Sequence, residues 1–148
     1  MDNHSPPQKV AAIIDSRPGF SRQAIRTMLA LLPQIEIAGT AGGGLSAVNL
    51  TRKHPSALLI IDSSLPEDEI LALLGKIKQE QPQIHCLVVA ETSRQQAAVL
   101  AQGADAVILR SEPTERLADA LLGIALALAI IGLLEYLARR PGGEPAAG

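Results

Sequence analysis

The chain has 148 residues, 47% of them apolar and 19% charged, with a formal net charge of −2. This balance fits one globular domain with short tails and excludes a disordered chain. No basic block supports charge-driven binding of nucleic acid, and the lone Cys86 excludes an internal disulfide.

Residues 1–8 are polar and proline-containing and read as a loose tail without the apolar stretch of a secretory signal, so the expected compartment is the cytoplasm. Val10 to Ile14 is a short apolar run that predicts a buried strand, closed by Asp15 and Ser16. After the loop Ser16-Arg17-Pro18-Gly19, apolar residues at Phe20, Ile25, Met28, Leu29 and Leu32 recur at helical spacing until Pro33. Ile35 to Ala41 predicts a second strand. Gly42-Gly43-Gly44 follows it, then a short helix carrying Leu45, Val48 and Leu50 that stops near His54-Pro55. Ala57 to Ile61 is the most apolar strand and ends at Asp62. Pro66 with Glu67, Asp68 and Glu69 marks a helix start, since acids suit the positive end of the helix dipole. Ile70, Leu71, Leu73, Leu74 and Ile77 give that helix its buried face, and Gln81-Pro82 closes it. Ile84 to Val89 is the fourth strand. Ser93 is expected to cap a helix that runs to Gln102 and ends at Gly103. Ala106 to Leu109 is the fifth strand, and Pro113 opens a last helix without a breaker before Arg140-Pro141.

Five apolar strands alternating with five helices predict a doubly wound α/β fold. Its parallel sheet should have both faces covered and the flavodoxin-like strand order 2-1-3-4-5, with an extended C-terminal helix. Ligands in such sheets sit outside the carboxyl ends of the strands. Those ends hold Asp15 and Ser16, Asp62, the Ala90 to Ser93 turn, and Arg110. Two carboxylates converging on one crevice suit a hard divalent cation such as Mg²⁺. A carboxylate beside that cation and a guanidinium is suited to accept a phosphoryl group.

The stretch Ile60-Ile61-Asp62-Ser63-Ser64-Leu65-Pro66 resembles the receiver domain of bacterial two-component response regulators, in which the acceptor Asp is followed four residues later by Pro. Asp15-Ser16-Arg17-Pro18 resembles the acidic pair and loop after that family's first strand, and Gln102 to Arg110 resembles the approach to its Lys. The resemblance covers about residues 9 to 127. It implies Asp62 as phospho-acceptor. It implies a Mg²⁺ site from Asp15, Asp62 and the Ser64 backbone carbonyl, with Ser16 in the place of the second acid. Arg110 stands in for the Lys. Ala90, Thr92 and Ser93 compete for the hydroxyl that binds the phosphoryl group, Thr92 being the assigned switch hydroxyl, and Val107 takes the place of an aromatic switch residue. The implied partners are a histidine kinase or phosphotransfer protein and a downstream protein, and the domain is regulatory rather than an enzyme. The alternative is a degenerate receiver that acts as a phosphorylation-independent interaction or dimerisation module.

Other features have plainer readings. Gly42-Gly43-Gly44 lacks the Gly-Lys-Ser/Thr ending of a phosphate-binding loop and reads as a turn. His85 has no ligand-spaced partner, His54 suits a helix carboxyl end, and Cys86 reads as a small buried hydrophobe. The last helix is divided into a domain part to residue 127 and an extension over 128–140, with residues 141–148 as a flexible tail too short for a helix-turn-helix. Residues 120–134 carry no charge, a run of about 22 Å at ~1.5 Å per residue, against a hydrocarbon core of ~30 Å. Leu117, Leu121, Ile124, Leu128 and Ile131 form a seam suited to a partner helix, hence a homodimer. Apolar residues on the other faces instead suit membrane association through residues 117–138.

Overall fold

In the computed structural model, residues 9–55 and 57–139 are described. The expected tails and Arg140 lie outside that range. The strands are β1 (Val10–Asp15), β2 (Ile35–Ala41), β3 (Leu58–Asp62), β4 (His85–Ala90) and β5 (Ala106–Leu109). The helices are α1 (Phe20–Ala30), α2 (Gly44–Lys53), α3 (Glu67–Glu80), α4 (Ser93–Ala101) and α5 (Thr114–Arg139). All five strands pair in parallel in the order β2-β1-β3-β4-β5. The predicted fold class therefore holds, with the long terminal helix in place.

Alternation along each strand builds two cores. Ile13, Leu59, Ile61, Cys86 and Val88 point to one face, where they meet Val48 of α2, Leu74 of α3 and Val99 of α4. Ala12, Ile14, Leu58, Ile60, Leu87 and Val89 point to the other, where α1 and α5 cover them. Every residue of β3 is buried, which is why its sequence runs apolar without alternation: helices lie on both sides of it.

Several local expectations need correction. Phe20, the first residue of α1, is 93% exposed, and the helix buries Ile25 and Leu29. Leu45 is also exposed, and α2 buries Ala47, Val48 and Thr51 instead. The cap of α4 is Thr92, whose hydroxyl accepts from the Gln95 N–H at 3.1 Å, rather than Ser93. The seam of α5 assigned to a partner helix begins as its face on its own domain: Leu121 is buried, and Leu117 and Ile124 pack beside it on the α1 side of the sheet.

Cys86 sits at the centre of the other core, and burial pushes its thiol up to about 12. The native chain should therefore react with a thiol-specific reagent at pH 8 at least about a hundredfold more slowly than the urea-unfolded chain. Comparable rates would show that the β4 core opens without global unfolding.

Candidate functional site

Parallel pairing brings the carboxyl ends of four strands to one rim. Asp15 lies beside Ile61, Asp62 beside Val89, and Ala90 beside Leu109. Turn hydrogen bonds extend this alignment into the loops: Ser63 N donates to Val89 O at 3.0 Å and Arg110 N to Ala90 O at 2.8 Å. Each predicted residue at this rim is thus placed by the register of the sheet.

Asp62 is fully buried, and the Arg110 guanidinium contacts it directly, Nη2 donating to Asp62 Oδ1. The same guanidinium spans three further segments. Nη2 donates to Ser63 Oγ at 2.9 Å, Nε to Glu91 Oε1 at 3.0 Å and Nη1 to Ser21 Oγ at 2.6 Å. Ser63 Oγ in turn donates to Glu91 Oε1 at 2.9 Å. A Lys ammonium could not serve four acceptors spread this way, whereas the planar fork can. Burial of Arg110 works against its charge, but Asp62 and Glu91 together hold it above its ordinary value. Glu91 is held below the usual carboxylate range by Ser63 and Arg110. Ser21, Ser63 and Glu91 were not singled out from the sequence. Ser63 had a usable signal, its place directly after Asp62; Ser21 had none, because only the packing of α1 brings it to β5.

Asp15, one strand away, is also fully buried. Its Oδ1 accepts from the Gly43 N–H at 2.7 Å. Gly43 holds a left-handed backbone with φ 108°, and a Cβ there would come within 2.9 Å of Glu69 Oε1. The glycine turn thus serves a carboxylate of the chain itself. Ser16 is buried beside Asp15, and its hydroxyl is held by the chain itself. Arg22 Nε donates to its Oγ at 3.3 Å, and Arg22 Nη2 reaches both the Ser16 carbonyl and Ala41 O, the latter at 2.8 Å. The Ser64 hydroxyl accepts from Arg17 N at 3.0 Å, joining the loops after β1 and β3.

Of the switch positions, Thr92 caps α4, its hydroxyl accepting from the Gln95 N–H. Ala90, buried at the end of β4 and paired with Leu109, brings no hydroxyl to the rim. Val107 packs partly buried against the core on the α2–α4 side.

Asp15 Oδ2 and Asp62 Oδ2 are buried without a hydrogen-bond partner among the described residues. Orphaned carboxylate oxygens call for a proton, a water or a cation. Among the described residues no cluster of three or more His, Cys, Asp and Glu side chains is placed to hold a metal. The two unpartnered carboxylate oxygens, on neighbouring strands, are hard donors of the kind a divalent ion such as Mg²⁺ takes together with waters. Neutral Ser16 and the fixed charge of Arg22 both weaken such a site.

Burial raises Asp15 to about 6, opposed by the Gly43 N–H, reinforced by Glu69 and opposed again by Arg22. Between about pH 4 and 6 the folded chain keeps a proton that the unfolded chain has lost. This group's contribution to stability is therefore full below pH 4 and is lost as pH rises through about 6, on the order of 1–3 kcal/mol in all. In metal-free urea titrations, Asp15→Asn should lose less stability from pH 4 to 7 than the parent chain, and parallel profiles would refute the assignment. Arg110→Ala, which strands a buried carboxylate, should cost about 1–3 kcal/mol at pH 7, a figure reduced for the partial exposure of Arg110. Combining it with Asp62→Asn should recover most of that loss, and strict additivity would mean the pair is uncoupled.

The comparisons with known proteins agree with this fold. Residues 11–122 match the family model "Response regulator receiver domain". The nitrate/nitrite response regulator protein NarP of Escherichia coli is 28% identical over 111 residues, covering 74% of this chain and 51% of NarP. A protein-glutamate methylesterase/protein-glutamine glutaminase of Alkalilimnicola ehrlichii is 32% identical over 74 residues, covering 50% of this chain and 19% of that protein. The chain thus spans about half the length of one curated relative and about a fifth of the other. Among solved structures, the receiver domain of a NarL from Mycobacterium tuberculosis aligns with TM-score 0.71 at 19% identity, covering 80% of this chain and 98% of that one. The isolated receiver domain of RcsB from Salmonella enterica, solved with a phosphomimetic, aligns with TM-score 0.68 at 22% identity, covering 79% and 88%. RcsB is also described bound to promoter DNA, so these relatives lend no support to the expectation that nucleic acid is excluded. With a family match across most of its length and the strand order and rim geometry described above, the chain belongs to the response regulator receiver domain family of two-component systems.

Proposed function

We propose that this domain accepts a phosphoryl group on Asp62 from a histidine kinase or phosphotransfer protein and signals through protein contacts. The observation that carries this reading is the buried Asp62 carboxylate with one oxygen on Arg110 and the other unpartnered. The free Oδ2 is the nucleophile. It attacks phosphorus, the donor's N–P bond breaks, its electron pair leaves with the imidazole, and an acyl phosphate forms. Arg110 then faces the new phosphoryl oxygens and offsets their charge. Ser63 and Ser21, already on that guanidinium, supply hydroxyls near a position where Ala90 has none. Bound Mg²⁺, held by Asp15, Asp62 and the Ser64 carbonyl, would neutralise charge on the transferring group.

Phosphorylation would compete for the donors that now tie Arg110 to Asp62, Ser63, Glu91 and Ser21. The output would be a population shift of the β4–α4 loop and the neighbouring face of α4 and β5. The domain spans residues 9–127 on this reading, and the reaction takes place in the cytoplasm, where phosphodonor kinases present their substrate.

A second reading has specific support. Every nitrogen of the Arg110 guanidinium already has an acceptor, Ser16 is engaged by Arg22, and Ala90 lacks a hydroxyl. Those features favour a receiver whose fold is kept for protein binding alone. Incubation with a small phosphodonor, with and without Mg²⁺, separates the two readings by intact mass. The first expects a gain of one phosphoryl group, at least about tenfold faster with Mg²⁺, and absent in Asp62→Asn. An unchanged mass in the parent chain would leave the binding-module reading.

A further inference from the structure

We propose that the projecting half of α5 inserts into the hydrocarbon of a lipid bilayer and tethers the receiver to a membrane. This inference is independent of phosphorylation at Asp62.

α5 has two unlike halves. Its root is part of the domain: Leu121 and Ala125 are buried, with Leu117, Ala120 and Ile124 packed beside them. Beyond that root, Leu126, Ile130, Ile131, Leu133, Leu134 and Leu137 are large apolar side chains exposed to solvent. Among the described residues one helix, Glu115–Arg139, is long and apolar enough to cross a membrane, and little of it is buried by the domain.

The distribution of these side chains around the helix selects the partner. Leu126, Ile130, Leu133 and Leu137 follow one line, at spacings of four, three and four. That line alone would suit a second copy of the chain. Leu128 and Ile131, however, continue the domain-facing side, while Leu134 and Tyr136 flank the first line on either side. A two-helix seam in water buries one stripe and needs a polar opposite face. Between Ala120 and Leu134 this helix has no charged residue with which to make one. Lipid covers the whole circumference. A helix lying flat at the interface needs a polar face as well, so end-on insertion is the geometry that fits.

Length and charge agree. Residues 126–138 rise about 20 Å at ~1.5 Å per residue, short of a ~30 Å core. Local thinning of the bilayer closes that gap while the root stays docked. Arg139 and Arg140 supply a basic end for anionic headgroups. The single acid of the projecting half, Glu135, is paired with Arg139 at 3.5 Å one turn later, the arrangement that a charge at membrane depth requires.

The test uses the full chain and vesicles of phosphatidylcholine with a minority of phosphatidylglycerol. The parent chain should float with the vesicles in a density gradient. Ile130→Glu and Leu133→Glu lie beyond the domain contacts and should each reduce the vesicle-bound fraction at least about tenfold without changing the domain's circular dichroism. Tyr136 is the only Tyr in a chain without Trp, so its emission reports on the helix without any substitution. Lipids brominated on the acyl chains should quench it. A parent chain that stays at the bottom of the gradient with unquenched Tyr136 overturns the proposal. If it then sediments as a dimer that Ile130→Glu splits, the exposed face belongs to a second copy instead.

Discussion

The molecule is organised around a buried carboxylate at the end of its most apolar strand. Asp62 completes β3, whose other residues are wholly enclosed, and an ion there loses nearly all its hydration. Such a charge is tolerated only with a partner and well-placed hydrogen bonds. Arg110 supplies the partner from two strands away, and it can do so because β4 lies between with its register fixed on both sides. The register of the sheet and the electrostatics of the site are therefore one constraint: a one-residue slip in β5 would turn Arg110 away and leave Asp62 unpaired.

The same guanidinium makes the rim a connected unit. It touches α1 through Ser21, the β3–α3 loop through Ser63 and the β4–α4 loop through Glu91. Any event that recruits Arg110 toward new oxygens on Asp62 must release some of these contacts. A planar donor serving four acceptors turns a local change of charge into a change in three segments at once, and the coupling runs through direct hydrogen bonds without an extended chain of contacts.

The other half of the rim is tuned differently. Asp15 is desolvated, held by one backbone N–H and faced by Glu69, so its proton is retained to unusually high pH. In place of a second acid stands Ser16, bound by Arg22. The pocket is therefore less negative than paired acids would make it, and a divalent ion would compete with protons on Asp15 and with the fixed charge of Arg22. On the proposed reading this sets a modest demand for metal, with Arg110 carrying more of the electrostatic work.

Chain order and hydrophobic period alone determined the five βα units, the parallel sheet, the strand order and the presence of Asp15, Asp62 and Arg110 at one rim. These follow from alternation and run length, which are properties of neighbouring residues, and from the rule that carboxyl ends of such strands share a side. Thr92 was read from the sequence as a switch hydroxyl and not as a cap, because a hydroxyl beside a strand end and a helix cap are the same residue in sequence. The backbone turn shows that it also caps α4. The seam on α5 was read as free for a partner because periodicity identifies an apolar face without saying what covers it; the tertiary fold spent the first half of that face on its own sheet. Arg22, Ser21, Glu91 and the Gly43 N–H entered the site through contacts between segments far apart in the chain. Such contacts depend on how helices pack over the sheet, and no local pattern records that.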